Sequence, residues 1–168
     1  MNQRRRHTIL CLVLAVGCAG CYLQFPLDTS PQADIEAAAL GTWRCLPFDQ
    51  GAQSKPANIV VKRGRDRLYS IVFQEDGEEA SQVEAHASIV KGQTLINARV
   101  VNSEAPSKPW LIARYSLVRP NVMHLELIDE TKLEAADTSP ESLRRTVEQA
   151  ANLSDLFGDW CVCVRATE

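Results

Sequence analysis

Between Gly41 and Ile128 short extended runs alternate with polar links that carry glycine, proline or asparagine, and this punctuation most limits what the chain can become. The runs fall at 43–46, 58–63, 67–74, 82–90, 94–101, 110–118 and 122–128. Links around Gly64, Gly77, Gly92 and Pro120-Asn121 are too short to carry the chain across a sheet face, so they predict antiparallel hairpins rather than parallel strands with crossover helices. In the last of these hairpins Met123, Leu125 and Leu127 share one side and His124 and Glu126 the other, which is the pattern of a strand with one covered and one wet face.

Two stretches break the pattern. Over 139–152 a helix is expected: Ser139 can cap it with Pro140 in the first turn, and Glu141 with Arg145 and Arg144 with Glu148 stand four apart. Leu143, Val147 and Ala151 give that helix a narrow apolar stripe, which Leu153, Leu156 and Phe157 extend. Gly158-Asp159 reads as a turn, and 160–165 as an eighth strand. At the other end, Ser30-Pro31 can start a short helix through Ile35 and Glu36 that Leu40-Gly41 would end. The expected fold is mainly β: one antiparallel barrel or strongly curved sheet of about eight strands, with a short N-terminal helix and a C-terminal helix before the last strand. With 168 residues, 45% of them apolar and 23% charged, the chain suits one folded domain.

Residues 1–21 do not belong to that domain. Arg4, Arg5 and Arg6 precede an apolar stretch through Ile9, Leu10, Leu12, Val13 and Leu14 that Gly17 and Gly20 interrupt well short of the about 20 apolar residues a membrane span needs. This is the layout of a cleaved secretory signal. Removing the three arginines leaves 15 basic residues against 21 acids, a balance of −6. Such a surface repels a phosphate backbone, and no basic patch offsets it, so nucleic acid is not an expected partner.

Ala15-Val16-Gly17-Cys18 and Cys18-Ala19-Gly20-Cys21 both resemble the lipobox of bacterial lipoproteins. The resemblance implies acylation, of the palmitate kind, on Cys18 or alternatively Cys21, with the lipid anchor holding the protein on a membrane of the cell envelope. Ala19, where an aspartate would signal inner-membrane retention, points to the outer membrane if the cell has one. Ordinary signal cleavage near Gly20 is the alternative. Residues 22–39 then form a tether and short helix, and 40–168 the barrel.

Gly41-Thr42-Trp43, seven strands, a late helix and a terminal strand are together similar to the lipocalin-like barrels. The resemblance implies that Trp43, after Gly41, closes one barrel end beneath an arginine from a late strand, for which Arg165 is the candidate. It also implies a small apolar ligand. Here the helix precedes the final strand, whereas in that family it follows.

If first and last strands pair, Cys45 would lie near Cys161 or Cys163, and export favours a disulfide between them. Cys161-x-Cys163 with Cys45 could alternatively hold a soft metal, but no second ligand pair accompanies it, so no metal or other cofactor is expected. His86 and His124 stand mid-strand among polar neighbours, as solvated or hydrogen-bonded histidines do. Glu75, Asp76, Glu78 and Glu79 lack the spacing of a calcium loop and read as a solvated hairpin tip, while Tyr69, Trp110 and Tyr115 read as strand core. With no nucleophile elbow, zinc-protease helix or phosphate loop present, the chain is expected not to be an enzyme. Two roles remain: a membrane-anchored binder of a small apolar molecule, or an envelope assembly or interaction subunit with a filled barrel. Cysteine-based metal handling is a weaker third.

Overall fold

The computed structural model describes residues 23–48, 55–101, 110–133 and 139–166. The expected signal, residues 1–21, and with it both lipidation candidates, Cys18 and Cys21, lie outside them. Eight antiparallel strands follow one another in chain order and close into a barrel: β1 Gly41–Pro47, β2 Ala57–Arg63, β3 Tyr69–Glu75, β4 Ser81–Val90, β5 Gln93–Val100, β6 Trp110–Arg119, β7 Val122–Ile128 and β8 Phe157–Arg165. Closure comes from β1 pairing with β8, so that Trp43 faces Arg165 and Cys45 faces Cys163 across the ladder. This meander fits a lipocalin-like fold, with the helix α1, Pro140–Gln149, inserted before the last strand.

Tight links gather at one end of the barrel. Lys91 and Gly92, at φ of 51° and 76°, form a two-residue hairpin turn whose left-handed residues match the twist of the strands they join. Asp66 and Arg67 are also left-handed, at φ of 51° and 63°, which is why β3 begins at Tyr69 and not at 67. At the opposite end the connections over 48–56, 101–109 and 129–156 are longer, and only 76–80 is as short.

Apolar side chains pack on both surfaces of the wall. Inside, Trp43, Ile59, Tyr69, Ala85, Met123 and Cys163 belong to one buried cluster. Outside, a second cluster sets Leu143 and Val147 of α1 against Leu27, Val90, Leu95, Ile112, Ile128 and Phe157. Ser139 caps α1 by accepting from the Ser142 N–H at 3.2 Å.

Three expectations are corrected. No helix starts at Ser30-Pro31. One 3₁₀ turn, Ala37–Ala39, forms instead, without a side-chain cap. The preceding segment lies extended on the barrel wall, because the barrel satisfies its backbone: Leu27 N–H donates to Asn97 Oδ1 at 2.7 Å and Gln32 N–H to the Ala87 carbonyl at 2.8 Å. Gly158-Asp159 does not turn the chain but lies within β8, where Leu125 pairs with Cys161 and Glu126 with Asp159. Trp160 is therefore the extra residue of a β-bulge, and the strand starts earlier than its glycine suggests. Trp110 is not inner core: it sits half-buried on the outer wall, edge-on to His86 and beneath the Arg99 guanidinium.

Candidate functional site

The closed end is built from the chain entering β1. Gly41 has φ of +129°, and a Cβ there would stand 2.5 Å from Arg165 Nη1, so both backbone and space demand glycine. The Arg165 guanidinium lies 4.1 Å from the centroid of the Trp43 ring. It also donates to the Leu40 carbonyl at 2.5 Å and the Ala38 carbonyl at 2.6 Å. Trp43, wholly buried, donates its indole N–H to the Ala39 carbonyl at 3.0 Å. Gly41, Trp43 and Arg165 thus meet in one plug that ties the 3₁₀ turn across the barrel end.

Above the plug lies a cavity of about 240 Å³. Its deep end is bounded by Ala39, Tyr69 and Tyr115, its walls by Ile59, Ile71, Phe73, Val83, Ile96, Ala98, Ala113, Met123 and Leu125, and its mouth by Glu75, Ser81, Leu127 and Trp160. Alternation places these residues inward, and alanines at 98 and 113 leave room that larger side chains would fill. Tyr69 and Tyr115 therefore line the cavity, and so does Glu75, which the acidic hairpin alone did not distinguish from its solvated neighbours. Its place is legible only from register: two residues apart, Tyr69, Ile71, Phe73 and Glu75 share one face.

Polar groups at the deep end are matched to one another. The Glu36 N–H donates to Tyr69 Oη at 3.0 Å, and the Tyr115 hydroxyl donates to the Glu36 carboxylate. Burial, and then that bond to Glu36, raise the Tyr115 phenol well above its ordinary range.

Cys45 and Cys163 form a disulfide that joins the first strand to the last, while Cys161, two residues earlier, is a buried free thiol 3.6 Å from Cys163 Sγ. Burial pushes that thiol up to about 12. All three sulfurs lie within 4.8 Å, but the disulfide uses two of the atoms that a metal would need. His86 is buried on the outer wall, its Nε2 2.7 Å from the Asp28 carbonyl oxygen, and its burial depresses its pKa. His124 lies 3.1 Å from Asp159 Oδ1 on the outer side of β7. Neither histidine lines the cavity.

No family, curated protein or solved structure matches this chain. Among the described residues, no helix is long and apolar enough to cross a membrane.

Proposed function

We propose that this chain is a non-enzymatic binding protein, exported and anchored to a membrane of the cell envelope through Cys18 or Cys21, whose barrel takes a small apolar ligand. The cavity carries this reading. An apolar cavity of about 150 Å³ already holds a benzene molecule, so about 240 Å³ that opens at its mouth has room for a medium-chain compound or one of two to three rings. Such a compound would replace solvent against nearly continuous aliphatic and aromatic wall, the environment in which small-molecule sites are usually built. Export and anchoring are supported by the arginines, the apolar run and the lipobox-like cysteines of residues 1–21.

Saturable, one-to-one binding of the uncharged fluorophore phenylnaphthylamine by the purified protein in detergent-free buffer tests the ligand reading, and no saturable binding overturns it. Intact mass of material taken from its native membrane tests the anchor: a chain beginning at an acylated cysteine is expected, and an unprocessed chain refutes it. A second reading, an envelope assembly or interaction subunit, is supported by the exposed apolar side chains Leu46, Phe48 and Val164. It predicts a reproducible crosslinked partner and no bound fluorophore.

A further inference from the structure

We propose that the cavity takes an amphiphile with a cationic or uncharged head group and rejects an anionic one, a selection made by Glu75 at the mouth. This rests on the ligand reading above and specifies its ligand class. At the deep end the hydroxyls of Tyr69 and Tyr115 are engaged with Glu36, and the 3₁₀ turn and Trp43 close the exit. A polar head placed there would lose its water without gaining a partner. The apolar tail therefore goes in first, and the head remains at the mouth.

At the mouth, Glu75 ends β3 with its side chain on the cavity face, and Ser81 opens β4 beside it. Among the described residues lining the cavity, Glu75 is the one carboxylate, and neither lysine nor arginine lines it. The nearby cations are held chiefly by other acids: Arg44 pairs with Asp76, and Lys55 with Glu78 at 2.5 Å, its attraction to Glu75 being the weaker one. Glu79 adds a further exposed acid to the same hairpin. A head group at this position meets a field of negative sign, with Glu75 as its nearest source. A cation is attracted, a hydroxyl or amide can donate to Glu75 or Ser81, and a sulfate or carboxylate is repelled.

The test uses phenylnaphthylamine as a reporter and three amphiphiles with the same decyl chain as competitors: decyltrimethylammonium, decanol and decyl sulfate, all below micelle formation. In the unaltered protein the ammonium and the alcohol are expected to displace the reporter at concentrations about tenfold or more below the sulfate. Glu75→Gln should narrow that gap to about threefold or less, with reporter affinity changed by less than about twofold. Glu75→Lys should reverse the order of ammonium and sulfate. Equal displacement by all three competitors in the unaltered protein, or a gap that both substitutions leave intact, overturns head-group selection while leaving ligand binding standing. Absence of reporter binding removes both.

Discussion

The Arg165 guanidinium stacks 4.1 Å above the Trp43 ring while two of its nitrogens donate to the carbonyls of Ala38 and Leu40. One side chain therefore fixes both the indole and the turn that plugs the barrel. Arg165→Ala removes the stack and strands two carbonyls, and is expected to cost about 2 to 4 kcal/mol. Arg165→Lys, which lacks the planar fork, should recover only part of that. Gly41→Ala, which forces a Cβ against Nη1 at positive φ, should cost about 1 to 3 kcal/mol. Urea unfolding midpoints for the three variants check the order, and an Arg165→Ala variant as stable as the parent would refute the plug.

The staple between Cys45 and Cys163 closes a segment with a sequence separation of 118 residues. Cys163→Ser is expected to lose up to about 5 kcal/mol through the freer unfolded chain. Cys161→Ala should cost far less. Peptide mapping without reductant should find the bond between residues 45 and 163; a bond from residue 161 to either would show a different pairing.

The buried Cys161 thiol also gives stability a dependence on alkaline pH. Its folded value, about 12, stands above the ordinary 9.0, so its contribution is complete below pH 9 and is lost as pH rises towards 12. The loss approaches about 1.4 kcal/mol per pH unit in that window. Unfolding free energies between pH 8 and pH 11 should fall more steeply for the parent than for Cys161→Ala. Parallel curves would refute it.

His86 acts in the opposite direction. Desolvation holds it neutral against the pull of the Asp28 carbonyl, so its pKa is depressed and its contribution is present above the ordinary 6.5 and fades as pH falls below it. Protonation should loosen the segment that carries Leu27 and Asp28 from the wall. The protection factor of the Leu27 amide is expected to fall between pH 7 and pH 5, and His86→Gln should remove that fall.

Filling the cavity should separate binding from folding. Ala113→Phe projects a ring from β6 into the cavity between Ile96 and Leu127, and is expected to weaken phenylnaphthylamine binding by about tenfold or more while shifting the unfolding midpoint by only a few degrees. Unchanged binding would place the fluorophore outside the barrel.

The barrel was legible because its evidence is local. Period-two alternation in 122–128 and the Lys91-Gly92 turn each specify one hairpin, and a chain of hairpins leaves few topologies open. Ser139 and Pro140 likewise marked the start of α1. What sequence misjudged depends on distant partners. Ser30-Pro31 carries helix-start residues, yet the barrel wall, through Asn97 and Ala87, supplies the hydrogen bonds that a helix would have made. Gly158-Asp159 has turn composition, but pairing with β7 absorbs it as a bulge. The cavity was invisible for the same reason: inward positions can be read from alternation, whereas the space left between Ala98, Ala113 and the opposite wall depends on barrel curvature.

Because the first strand completes its ladder only against the eighth, the sheet cannot seal until β8 has joined it. Until then the folding chain presents two open edges, one on β1 and one on the last strand added, each able to capture a neighbouring copy. The final nine residues of the ladder, Phe157–Arg165, are therefore also the moment of commitment. A truncation there would remove one strand and leave the other seven as a sticky, unclosed ribbon.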